Sequence, residues 1–324
     1  MKRFPRVRTA AAAVAAVAVA ALTAGCGATQ VTTTNAFSQA DPSTVRLVVN
    51  SWTGSAANVA VAQYLLEHQL DYKVETTQID EIPAWNALST GNADAILEDW
   101  GHADQQKTYV DKQKTVQMGG KLGAVGHIGW YVPKYVADQH PDITSWKNLD
   151  KYKKLFMTPE SGGKGQLLGG SPSYVTNDPA LIKNLGLDYK VVYAGSEAAE
   201  IAQIRQAYAK RKPLLFYWYV PQWLTQELAF TEVKLPPYND KCGLGDPAKI
   251  NCAYPTYKLD KVFSKAFVKR GGKAYEFLRS FHWTARDQNE VAGLIADRKM
   301  TPQDAARQWV QEHPDEWRQW LPKS

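Results

Sequence analysis

From Val45 onward the chain alternates β-branched runs with segments of helical spacing, in two successive sets, and this alternation narrows the possible folds more than any other feature. VRLVVNSW, YKVETTQI and ADAILEDW read as strands, with NVAVAQYLLEHQL and IPAWNALSTG between them as helices. The second set opens with GHIGWYVP and YKKLFMTP as strands, the latter leading into ESGGKGQLL and an apolar helical stretch. DYKVVYAGS then reads as a strand, EAAEIAQIRQAYAK as a helix and KPLLFYWYVP as a strongly apolar strand. Strand and helix in alternation give parallel α/β units. The C-terminal part holds a cysteine loop and then reads as helices only: LDKVFSKAF, AYEFLRSFHW, DQNEVAGLIADRKM and TPQDAARQWVQEH, where Thr301 is placed to cap and Pro302 to start the last. The expected fold is α/β with two lobes, each a mostly parallel sheet flanked by helices. Residues 45–130 with 238–324 form one lobe and residues 131–237 the other, with crossovers at Tyr131–Pro133 and Pro236–Tyr238.

The first 44 residues do not belong to that pattern. Lys2, Arg3, Arg6 and Arg8 precede an uncharged, alanine-rich run from Thr9 to Ala21, and Leu22-Thr23-Ala24-Gly25 lead into Cys26. This is the layout of a lipoprotein export signal, cut before Cys26 so that its thiol takes a lipid anchor. The apolar run is shorter than the roughly 20 residues that span a bilayer. Residues 26–44 are polar and aperiodic, as a tether would be. Four of the 38 basic residues lie in the signal and none of the 32 acidic ones do, so the remainder carries 34 against 32, a net charge of +2. With no basic tract, nothing points to a nucleic-acid partner. In an exported protein the two other cysteines, Cys242 and Cys252, are expected to form a disulfide; a metal site would need further ligands that the sequence does not place nearby.

Ligands of open parallel sheets bind beyond the carboxyl ends of the strands, and tryptophan recurs there. Trp52 follows the first strand and Trp100 the third; Trp218 lies near the end of LLFYWYVPQW, and Trp130 and Tyr131 lie in the crossover strand. Sealing the gap between lobes would account for any one of them. Together they offer several π-faces, the chemistry that holds quaternary ammonium groups, which have no N–H to donate.

The stretches SWTGSAANVAVAQYLLE, WNALSTGNADAILEDWGH, GWYVPKY, ESGGKGQLL and FYWYVPQW, in that order, make residues 45–321 resemble the substrate-binding proteins of ABC importers for glycine betaine, proline betaine and choline. The resemblance implies a venus-flytrap fold of the periplasmic binding proteins and an aromatic cage of Trp52, Trp100 and Trp218, with Trp130, Tyr131 or Tyr135 as a fourth wall. Choline-binding members tend to carry Asp two positions after the first cage tryptophan, where this chain has Gly54. That leaves backbone N–H groups at Gly54 and Ser55, at the start of a helix, for a ligand carboxylate. Ser161, Gly162 and Gly163 are the expected polar clamp from the second lobe; Gly165 after Lys164 does not fit a phosphate loop.

No catalytic constellation is legible. Adjacent strand residues Glu98 and Asp99 point to opposite faces and cannot flank one bond, no nucleophile elbow is present, and the six histidines, His102 and His127 among them, are scattered. The expectation is a monomeric, lipid-anchored binding protein without cofactor or metal that captures a betaine-like solute and delivers it to a membrane permease. The rivals are a receptor for choline, another amine or an amino acid, and a secreted enzyme on the same scaffold.

Overall fold

The computed structural model describes residues 41–242 and 246–323; the export signal, Cys26 and most of the tether lie outside the described residues. Among the described residues nine strands run in the spatial order β2-β1-β3-β9-β4-β7-β5-β6, with β8 beside β4. The first set comprises β1 (Thr44–Val49), α1 (Thr53–Gln69), β2 (Lys73–Gln78), α2 (Glu81–Ser89) and β3 (Ala95–Asp99), with β1 paired in parallel to both β2 and β3. A one-turn helix α3 (Ala103–Gln105) then leads to the long strand β4 (Val116–Pro133). After α4 (Lys134–Gln139), the second set comprises β5 (Gly165–Gly169), α5 (Asp178–Asn184), β6 (Tyr189–Tyr193), α6 (Glu197–Ala209), β7 (Phe216–Val220) and β8 (Phe230–Val233). Here β5 pairs in parallel with β6 and β7. The chain ends with β9 (Tyr257–Ser264) and helices α7 (Lys265–Arg270), α8 (Gly272–Ser280), α9 (Ala285–Ala296), α10 (Pro302–Glu312) and α11 (Pro314–Arg318).

The outer strands of each lobe are parallel, but the strands that join the lobes are not. β9 lies antiparallel between β3 and the first half of β4, and the second half of β4 is antiparallel to β7 and β8. β4 thus belongs to both sheets, and it changes partner between Gly126, opposite Tyr257, and His127, opposite Val220.

Three elements differ from the sequence expectation. LDKVF opens a strand, not a helix: its apolar residues suit either period, and ladders on both edges of β9 decide for strand. YKKLFMTP is not a strand; Trp146–Phe156 is 3-10 helix that buries Leu149 and Phe156 and leaves its lysines toward water. GQLLG, expected as the start of an apolar helix, is the fully buried strand β5 between β6 and β7. The C-terminal helices pack back on the first lobe. α1 is apolar nearly all round because it is covered by the sheet on one side and by α9 and α10 on the other. Thr301 caps α10 through the N–H of Asp304, with Pro302 at the first position, as its sequence indicates.

Candidate functional site

Where β1 and β3 end, the chain turns Trp52 and Trp100 toward a cavity of about 320 Å³, within the range of small-molecule sites. Trp52 is the residue before α1, in extended backbone. Trp100 follows β3 and is succeeded by Gly101 at φ +84°, a turn that favours glycine. Across the cavity, β7 supplies Tyr217 and Tyr219, the loop after β5 supplies Tyr174, and the first residue of β9 is Tyr257. The rings form a continuous chain: centroids lie 6.1 Å apart for Trp52 and Tyr174, 6.1 Å for Tyr174 and Tyr217, and 6.3 Å for Tyr217 and Tyr219. Tyr219 meets Trp100 at 5.6 Å, and Trp100 meets Tyr257 at 5.5 Å. Gly126 makes this packing possible, because a Cβ there would stand 2.5 Å from the Trp100 ring.

Buried carboxylates back the rings. Glu98 accepts the indole N–H groups of Trp52 and Trp100 at 2.9 and 3.0 Å and the amides of Asn58 and Gln288. Burial pushes its pKa up to about 7 against those four hydrogen bonds. Asp99 points the other way, as strand alternation requires, and accepts from His102 at 2.5 Å, while Glu81 accepts from the opposite ring nitrogen at 2.8 Å. Burial opposes charge on His102, but the two carboxylates outweigh it and lift its pKa to about 10, so both ring nitrogens carry protons. Glu197 accepts from the Tyr219 hydroxyl, from Gln222 at 3.1 Å and from the Thr53 backbone N–H at 2.8 Å. It therefore orients a cavity-lining tyrosine and occupies the start of α1. Asp178 accepts from Trp130 at 2.7 Å and Tyr254 at 2.8 Å, and burial lifts its pKa to about 6. Burial, and then the neighbouring Glu197 and Asp178 carboxylates, push the pKa of Glu200 well above its ordinary value. Among the described residues no lysine or arginine lines the cavity.

Of the residues singled out from sequence, Trp52 and Trp100 meet at the cavity. Trp218 does not. On β7 the side chains alternate, so Tyr217 and Tyr219 face the cavity while Phe216 and Trp218 pack behind it against Phe230. Tyr131 joins that same core, next to Phe216 and Phe230. Trp130 is held behind the site by Asp178, and the Tyr135 hydroxyl donates to the carbonyls of Ala207 and Lys212. Gly54 and Ser55 are buried in α1. A Cβ on Gly54 would lie 2.5 Å from Gln288, so the glycine makes room for that amide to reach Glu98, and the Ser55 hydroxyl accepts from the Asn50 N–H. Ser161, Gly162 and Gly163 form a turn away from the cavity, with Ser161 bonded to Thr158 and Lys164 carbonyls. Tyr217 and Tyr219 were missed in the sequence, where the alternation within FYWYV is a signal that could have found them; Tyr174 and Tyr257 carry no such signal. His102, one of the histidines scattered along the sequence, is clamped between two carboxylates.

A two-lobed α/β protein whose lobes share crossover strands and enclose an aromatic, acidic-walled cavity is a solute receptor of the periplasmic binding type. The family described as the substrate binding domain of ABC-type glycine betaine transport system, OpuAC, matches residues 43–312, and the chain belongs to it. It is similar to the trimethylamine N-oxide-binding protein of Pelagibacter ubique, 26% identical over 277 residues that cover 83% of this chain and 87% of that one. It is also similar to the glycine betaine/proline betaine-binding periplasmic protein of Escherichia coli, 23% identical, covering 85% of each. The fold matches lactococcal OpuAC in its closed-liganded conformation with glycine betaine, with a TM-score of 0.67 at 22% identity over 86% of this chain and 99% of that one. Among the described residues no helix is long and apolar enough to cross a membrane.

Proposed function

We propose that the cavity is an aromatic cage for a quaternary ammonium solute such as glycine betaine, which the protein binds outside the cytoplasm and passes unchanged to its membrane permease. The six aromatic rings lining one cavity carry this reading: a trimethylammonium group has no N–H, and π-faces backed by carboxylates are what can hold it. Three or four such faces contribute about 2–8 kcal/mol, and micromolar binding needs about 8 kcal/mol net. Further polar contacts are therefore required, and Asn177 and Gln105 are the wall groups that can meet the other end of the solute.

The site comprises Trp52, Trp100, Tyr174, Tyr217, Tyr219 and Tyr257, from two lobes divided where β4 changes sheets, 41–126 with 257–323 and 127–256. The Cα atoms of Cys242 and Cys252 are 5.9 Å apart, as a disulfide requires. With Cys26 as lipid anchor, the receptor would work as a tethered monomer. Titrating the mature domain with glycine betaine while following tryptophan fluorescence tests this, with choline, dimethylglycine and glycine as comparators. A saturable change that weakens as methyls are removed is expected. Equal responses to glycine and glycine betaine, or none to any of the four, would refute it.

A further inference from the structure

The two cage tryptophans share one buried carboxylate, and among the described residues that carboxylate has no cationic partner. Glu98 is 1% exposed. Its Oε1 accepts both indole N–H groups, and its Oε2 accepts Asn58 and, at 2.7 Å, Gln288. An indole N–H can only donate. Asn58 is fixed as well, because Trp283 donates to its Oδ1 at 2.7 Å and so turns its NH2 toward Glu98. Three of the four partners therefore present protons to Glu98 and offer nowhere for a carboxylic-acid proton to go. Gln288 is the exception: its Oε1 is buried without a partner, so turning the amide over would give Glu98 Oε2 an acceptor.

The charge around Glu98 is equally one-sided. The groups facing it from the residue before α1 (Trp52), from α1 (Asn58), from the turn after β3 (Trp100) and from α9 (Gln288) are all neutral. The Tyr174 and Tyr219 phenols feel its field, and burial keeps both protonated. Asp99 faces His102 instead. Among the described residues no lysine, arginine or histidine pairs with Glu98. A buried carboxylate lacking a counter-charge is costly, and a cation on the cavity faces of the same two indoles supplies it. N–H groups polarised toward an anion also leave those faces more negative.

We propose that Glu98 is the positioning residue of the cage: as a carboxylate it fixes both indoles by their N–H edges and serves as counter-charge to the bound cation, so solute binding releases a proton from Glu98 to solvent while Gln288 keeps its amide toward it. The inference rests on the cavity being a quaternary ammonium site. Glycine betaine and choline, neither of which titrates near neutral pH, are the probes. Isothermal titration of the full mature domain, in buffers of different ionisation enthalpy, counts protons released. About half a proton at pH 7 is expected, with affinity about tenfold weaker at pH 6 than at pH 8. Glu98→Gln should bind more weakly, with a flat pH profile and no proton release. Should that variant not fold, the wild-type proton count decides alone. Wild-type binding without proton exchange, or a pH slope that persists in Glu98→Gln, overturns the role of Glu98. If neither solute binds wild type at any pH, the cage reading falls, and this inference falls with it.

Discussion

At the scale of single residues, tryptophans that look alike in sequence have opposite work. Trp52 and Trp100 face the cavity and Trp218 is core. Trp52→Ala and Trp100→Ala should each weaken glycine betaine binding by about tenfold or more, measured by calorimetry, since each removes a π-face. Trp218→Ala should instead lower the unfolding free energy by about 3–5 kcal/mol in denaturant titrations and leave the surviving folded fraction able to bind. Gly126→Ala tests the close approach directly. The added methyl would sit 2.5 Å from the Trp100 ring, so the indole must shift and affinity should fall while the melting temperature changes little. Trp52 and Trp100 were legible because each follows a recognisable strand. Tyr217 and Tyr219 were legible in principle from β7 alternation, but the identity of the facing side depends on which face of the sheet the neighbouring helices cover. Glu98 was recognised as a residue of one face only; its four donors come from α1 and the residue before it, from α9 and from the turn after β3, and no spacing in the chain shows that convergence.

At the scale of elements, local pattern succeeded where one period dominates and failed where tertiary pairing chooses. α1, α6 and α10 and strands β1, β3 and β7 stand where β-branched runs and helical spacing put them. The first half of β4, VQMGGKLGAV, escaped notice because its glycines mask the strand; they mark register shifts against β9, and Gly123 lies so close to the Trp283 carbonyl that a Cβ would meet it at 2.5 Å. The junction between β3 and α2 gives a pH prediction. His102, clamped by Asp99 and Glu81, has its pKa raised from 6.5 to about 10. A raised histidine contributes stability that is complete below the unfolded value and disappears as pH climbs through the folded one. Thermal melts of wild type and His102→Gln should therefore differ most below about pH 6.5 and converge toward pH 10 and above. A gap that is constant with pH would mean His102 is held uncharged.

At the scale of the whole molecule, the lobes meet at the cavity rim through a few polar contacts. The Ser173 hydroxyl donates to Asp80 at 3.0 Å, the Val175 N–H to Glu81 at 3.1 Å, and the Tyr174 hydroxyl to the Ser51 carbonyl at 3.3 Å. Such contacts form only when the lobes are together, so they stabilise the closed state that retains the solute. Ser173→Ala should raise the dissociation constant a few-fold, seen mainly as faster release in stopped-flow fluorescence, because an exposed hydrogen bond contributes about 1 kcal/mol. A slower association rate with unchanged release would show that the rim acts on entry instead. The central claim concerns where the cation sits, and a crystal structure of the mature domain with glycine betaine tests it most directly. The account predicts the trimethylammonium group within about 6 Å of the ring centroids of Trp52, Trp100 and the facing tyrosines, with Glu98 still bonded to both indoles. Density for the solute against Trp218 or the Ser161–Gly163 turn, with the aromatic cavity empty, would contradict it.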